Sequence, residues 1–153
     1  SLIMLQRIQT IFLLLISLLS TLFYFVTFQK VTYGNTEYSL TIISGFTEEM
    51  AKSTVFLPFS INSLIVLLSL ITVFLFKNRK LQMKLCSLLA IVSSILCILL
   101  IAFIYIKTDA VAKYEVTYNI YSIIPAINIV LAFIAKRFIK SDEELVRSAD
   151  RIR

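Results

Sequence analysis

The sequence predicts an all-α membrane protein, a bundle of four transmembrane helices, and three observations carry that prediction. Four apolar runs, Ile8–Phe28, Val55–Phe76, Leu85–Ile106 and Tyr118–Ala135, contain no charged side chain. Each has close to the ~20 residues a helix needs to cross a hydrocarbon core of about 30 Å. Apolar residues make up 59% of the chain and charged residues only 16%, with a mean hydropathy of +0.91, too little polar surface to cover a soluble core. The cations are also unevenly placed. Arg7, Lys77, Arg79, Lys80, Lys84, Lys136, Arg137, Lys140, Arg147, Arg151 and Arg153 fall on one side of the four runs, against Lys30, Lys52, Lys107 and Lys113 on the other. The positive-inside rule therefore puts both termini in the cytoplasm, N-in and C-in. The net charge of +6 is a topology signal and not a nucleic-acid one.

The first run is too long and too uniformly apolar for a cleaved signal peptide, and no small-x-small site follows Phe28, so it reads as a retained signal anchor. Ser1–Ile3 precede Met4, where the natural start is expected. Ser17, Ser20, Thr21, Tyr24 and Thr27 recur on one face of this run. The outward connection that follows, residues 29–54, opens with alternating β-rich residues around Gly34-Asn35. That spacing predicts a two-residue hairpin, Gln29–Leu40, with positive φ at the turn. A lone hairpin is marginal in water, and Tyr114–Tyr118 of the second outward connection, residues 107–117, could add a strand. Thr47–Lys52 reads as a short amphipathic turn before the second span, and Pro58 falls near the start of that span, where a missing N–H costs little.

The second span carries Asn62, Ser69 and Thr72, and the third carries Ser87, Ala90, Ser94 and Cys97. The fourth carries Pro125, Asn128, Ala132 and Ala135. Ser17, Thr21, Asn62, Ser94 and Asn128 are the expected helix-packing polar groups, since small and hydroxylated stripes allow close approach and interhelical hydrogen bonds. Asn62 and Asn128 should pair with each other or with a neighbouring helix. Pro125 should kink the fourth span or mark a late start. Cys86 and Cys97, eleven residues apart on one helix, lie ~16 Å from each other and cannot form a disulfide.

The cytoplasmic connection, residues 77–84, places Lys77, Asn78, Arg79, Lys80 and Gln82 at the anionic headgroups. In the tail, residues 136–153, Ser141-Asp142-Glu143-Glu144 has the form of a capping box that starts a separate short amphipathic helix. Glu143 is spaced to pair with Arg147, and Arg147 with Asp150. Both signs of charge on Asp142, Glu143, Glu144, Arg147, Asp150 and Arg151 suit a protein surface better than bare lipid.

No histidine exists in the chain, and none of the four runs contains a carboxylate. Coupled transporters, proton relays and intramembrane proteases usually keep an ionisable group at membrane depth. There is no HExxH pair, nucleophile elbow or glycine-rich phosphate loop. No catalytic residue, cofactor or metal is expected, and the protein does not read as an enzyme.

Leu5-Gln6-Arg7-Ile8-Gln9-Thr10, Phe76–Gln82 with its continuation Met83-Lys84-Leu85-Cys86, and Lys140–Arg151 together resemble an uncharacterised family of small four-span inner-membrane proteins of Bacteroidetes-type bacteria, a domain of unknown function. The resemblance spans essentially the whole chain and implies a bacterial inner membrane and one domain over residues 1–153, while the hairpin read from the Gly34-Asn35 spacing would form a small periplasmic cap. The expected role is a non-catalytic accessory or assembly subunit of a larger membrane complex. Its partners would be lipids and other integral membrane proteins, with docking through Arg7, the 77–82 segment and the tail. The alternative is a small uncoupled transporter or channel for a neutral or lipid-like solute, lined by Ser17, Thr21, Asn62 and Asn128.

Overall fold

The computed structural model describes residues 2–33, 35–43, 52–110 and 114–152. Four helices run up and down: α1 (Leu2–Phe23), α2 (Lys52–Phe74), α3 (Arg79–Ala110) and α4 (Ile124–Arg151). Each packs on its neighbours in sequence, and α4 closes the ring on α1. Strands β1 (Gln29–Tyr33), β2 (Thr36–Leu40) and β3 (Tyr114–Tyr118) form one antiparallel sheet in the order β2-β1-β3. Tyr33 pairs with Thr36, the register of a two-residue hairpin, and Gln29 pairs with Leu40 on one side and Tyr118 on the other. The hairpin thus gains the third strand that an isolated pair needs. Phe28 and Ile42 anchor the sheet in the core, the Phe28 ring packing tilted against Phe23 with centroids 5.8 Å apart. The backbone of Gly34 and the amphipathic turn expected at 47–52 up to Ala51 lie outside the described residues.

The outer surface is apolar, unlike that of a water-soluble bundle, and polar side chains are set within an apolar core. Leu18, Phe25, Leu67, Phe74, Ile98, Val130 and Phe133 are exposed, while Ser20, Asn62, Ser69, Ser93 and Asn128 are buried. A soluble chain does not carry an apolar girdle of this extent. Among the described residues, three segments are long and apolar enough to cross a membrane: Leu57–Phe74, Arg79–Ala102 and Ile120–Arg151. The described apolar stretch of α1, Ile8–Phe23, is shorter.

The element boundaries differ from those expected, for identifiable reasons. The first helix stops at Phe23 and not Phe28: Tyr24 and Phe25 bond back to Thr21 and Leu22 in a tightened last turn, and the β-favouring residues Val26-Thr27-Phe28 then lead into β1. The third helix begins at Arg79, six residues before the expected span, because Asn78 caps it. Its side-chain Oδ1 accepts the Leu81 N–H at 3.2 Å and its carbonyl accepts the Gln82 N–H, the N-cap pattern. The connection between α2 and α3 therefore shrinks to residues 75–78. The fourth helix starts late, at Ile124 with Pro125 in its first turn, after β3 and a 3-10 turn, Ile120–Ile123. Pro58 lies inside α2, well past the first turn.

The largest correction concerns the tail. No separate amphipathic helix exists: α4 passes through Ser141 without interruption to Arg151. No glycine or proline occurs between Ala126 and Arg151, so nothing stops the helix there. A capping box acts on the unpaired N–H groups of a free helix start. Within a continuous helix those groups are already bonded one turn back, and Ser141 has nothing to cap.

Candidate functional site

The buried positions of the four helices follow a single rule. On α1 they are Gln9, Leu13, Ile16, Ser20 and Phe23; on α2 Pro58, Asn62, Ile65, Ser69 and Thr72. On α3 they include Gln82, Cys86, Leu89, Ser93, Leu96 and Leu100, and on α4 Pro125, Asn128, Ala132, Ala135, Ile139 and Asp142. Every set steps by alternating fours and threes, the 3.5-residue repeat of knobs-into-holes packing. The repeat keeps one seam of each helix facing inward over its whole length and brings polar residues on that seam to two depths.

The middle layer contains Ser20, Asn62 and Asn128, and Ser93 falls level with them, since it lies as far along α3 from Arg79 as Asn128 lies along α4 from Asp142; all four are at most 1% exposed. Ser20 is its hub. Asn62 Nδ2 donates to the Ser20 carbonyl at 2.8 Å, and Asn128 Nδ2 donates to Ser20 Oγ at 2.8 Å. The two asparagines thus meet through a third residue and not directly. Beside them Tyr24 shares a hydrogen bond with Ser63 and packs on Phe59 at 5.3 Å.

The second layer lies near the end where the cationic elements gather. Gln9, Gln82 and Asp142 are buried there. The Phe12–Phe138 stack at 5.6 Å sets the depth: Gln9 lies about one turn beyond Phe12, and Asp142 about one turn beyond Phe138 in the same direction. Gln82 Nε2 donates to the Thr72 carbonyl at 3.0 Å and ties α3 to α2. Arg79 Nε lies 3.0 Å from Asp142 Oδ2, an ion pair whose N–H is directed off the line to the oxygen. Its Nη1 approaches Glu143 Oε2 at 3.8 Å, and Glu143 Oε1 in turn holds Arg147 Nε at 3.3 Å. The Arg79 side chain is 18% exposed and that of Asp142 0%. The chain Asp142–Arg79–Glu143–Arg147 therefore runs from the core to the surface along the α3–α4 seam. Lys136 Nζ donates to Ser87 Oγ at 2.7 Å one level deeper.

A family profile described as Domain of unknown function (DUF4293) matches residues 5–152. The chain belongs to the DUF4293 family. This bears out the resemblance read from the Leu5–Thr10, Phe76–Gln82 and Lys140–Arg151 segments. A comparison with curated proteins finds no match. Both polar layers and the whole ion-pair chain of this DUF4293 domain fall inside the matched region.

The expected site residues separate into two groups. Lys77, Asn78, Lys80, Glu144, Arg147, Asp150 and Arg151 are exposed, and Glu143 is half-buried. Gln82 and Asp142, expected on the docking surface, are core residues instead, because the seam carries them inward. Arg79 is directed to Asp142, and the described partner of Arg147 is Glu143, not Asp150. Arg7 lies on α1, and its side chain is outside the described residues. Among the packing groups, Asn62 and Asn128 join helices as expected. Thr21 is exposed and bonds to the Ser17 carbonyl of its own helix. Ser94 likewise bonds to the Ala90 carbonyl one turn back, while the adjacent Ser93 occupies the seam. Thr21 therefore faces away from the layer that holds Asn62 and Asn128. Sequence reasoning missed Gln9, Ser93 and the buried carboxylate of Asp142. The four-three register extended from Leu13 and Ile16, from Leu89 and from Asn128 picks out all three.

Proposed function

We propose that this protein is a non-catalytic accessory or assembly subunit of a larger complex in a bacterial inner membrane, crossing it four times with both termini in the cytoplasm. The observation that carries the reading is the unbroken course of α4 past its last buried residue, Asp142. The nine residues 143–151 extend about 14 Å beyond that level, with Glu144, Leu145, Arg147, Asp150 and Arg151 exposed. Leu145 is 49% exposed, and cations and anions alternate around it. A helix resting on lipid alone carries a mainly cationic polar face, whereas mixed signs about an apolar residue suit a complementary protein surface. A rigid extension anchored by Arg79 and Asp142 presents that surface without the ordering cost of a flexible tail.

Native electrophoresis after mild detergent extraction tests the role. The wild type should migrate in an assembly far larger than the 17.5 kDa chain. Leu145→Ala/Val146→Ala should release the free bundle from it while leaving the protein in the membrane and its melting temperature unchanged. Wild-type migration as a monomer or small homo-oligomer, or an unaltered assembly in the variant, would remove the accessory reading.

The orientation rests on the cation bias and has its own test. In a background lacking Cys86 and Cys97, a cysteine at exposed Asn35 should react with a membrane-impermeant thiol reagent applied from the periplasm. One at exposed Asn78 should react only after the membrane is opened. The reverse pattern would invert the proposed topology.

The second reading, uncoupled passage of a lipid-like solute, draws on a half-open apolar cleft of about 500 Å³ near the sheet. Phe28, Cys97, Leu100, Tyr118 and Ile123 are among its lining residues.

A further inference from the structure

The middle polar layer contains more hydrogen-bonding capacity than the side chains in it use. Both asparagine amides spend an N–H on Ser20, yet Asn62 Oδ1, Asn128 Oδ1 and Ser93 Oγ are buried and find no protein partner among the described residues. Three such atoms on α2, α4 and α3 at one depth would each leave a desolvation cost unmet if unsatisfied, and a larger one where the surroundings are hydrocarbon. We infer that one internal water molecule completes this layer, donating to Oδ1 of Asn62 and of Asn128 and accepting the hydroxyl proton of Ser93.

The chemistry selects the ligand. Two acceptors and one hydroxyl call for a group with two donors and at least one acceptor, the inventory of water, and three bonds is the usual number for a buried water. The seam side chains around it are small: Ser20 and Ser93 in the layer, with Ala90 and Ala132 about one turn away. A cation would meet oxygen atoms too, but the layer holds no carboxylate. The buried charge of Asp142 is about 21 Å away along α4, so nothing nearby offsets the dehydration of an ion. The water gives α3 a polar link at mid-depth. Its other described side-chain links to neighbouring helices, from Arg79, Gln82 and Ser87, all lie toward the opposite end of the helix from the sheet.

Ser93→Ala decides between a bare hydroxyl and a bridged one by the sign of its effect. If water bridges the layer, loss of the hydroxyl lowers the melting temperature of the detergent-solubilised protein by about 3 °C. In combination with Asn62→Ala the shift is smaller than the sum of the two single shifts, because both residues hold the same molecule. A raised melting temperature for Ser93→Ala, or strict additivity, overturns the inference. A second measurement uses the unaltered protein: the side-chain amide protons of Asn62 and Asn128 should show nuclear magnetic cross-relaxation with a long-lived water. Absence of those cross-peaks also overturns it. So does a melting temperature that changes when sodium is exchanged for potassium or choline at constant ionic strength, which would point to a bound cation instead.

Discussion

Asp142→Ala should lower the melting temperature of the purified protein by roughly 9 °C, followed by far-ultraviolet circular dichroism because the chain contains no tryptophan. Removing one member of a buried ion pair generally costs about 3–5 kcal/mol, since the remaining charge stays buried without its partner. Arg79 is 18% exposed and also approaches Glu143, so part of its charge is relieved and the low end of that range applies. For a chain of this size about 3 kcal/mol corresponds to roughly 6–12 °C. The paired replacement Arg79→Leu/Asp142→Leu should recover most of the loss, because an apolar pair avoids the desolvation of both ions. An unchanged melting temperature for Asp142→Ala would mean that the carboxylate is solvated and the inner layer does not form. Asp142 would then return to the surface role first read from the tail.

Ser20→Leu should be comparably damaging, and its neighbour supplies the control. A leucine at Ser20 must enter the centre of the bundle, where overpacking costs about 1–3 kcal/mol. It also removes the acceptor of Asn128 and displaces Asn62 from the adjacent carbonyl. Interhelical hydrogen bonds in membranes average only about 0.6 kcal/mol, so the steric term dominates and the polar term adds to it. Loss of a sharp unfolding transition and of a monodisperse elution peak is the expected outcome. Thr21→Leu, one position along on the exposed face, should change the melting temperature by less than about 2 °C. Equal effects at the two positions would contradict the seam register.

The helices and the sheet were legible in the sequence because their signals are local: unbroken apolar runs, the Gly34-Asn35 spacing, and a second β-rich segment at Tyr114–Tyr118. What misled was also local. Ser141 and Glu144 have the spacing of a capping box, and nothing in four residues reveals that the helix is already in progress. A list of hydroxyls on a face groups Thr21 with Ser20 and selects Ser94, although the packed seam runs through Ser20 and Ser93. A serine on an exposed face bonds to its own helix as readily as one in the core bonds to a neighbour, so residue type alone does not separate them. Period does. The 3.5-residue spacing places Asn62 and Asn128 inside and carries the same line to Gln9, at the edge of the first apolar run, and to Asp142, beyond the end of the fourth.

The sheet also imposes an order on biosynthesis. β1 pairs with β2, which follows at once, and with β3, which leaves the ribosome 85 residues later. At about 5–20 residues per second, the hairpin closes within microseconds and its outer edge then waits for several seconds. Only after α2 and α3 have been made can Tyr118 reach Gln29 and the Asn119 N–H reach the Phe28 carbonyl, a contact of 3.2 Å. Until then β1 exposes a row of unpaired N–H and C=O groups, the form in which a strand recruits foreign chains or is cleaved. The third strand is thus a closing clasp: its pairing marks a chain whose intervening helices are both in place, and a mis-threaded copy is left with an open strand edge.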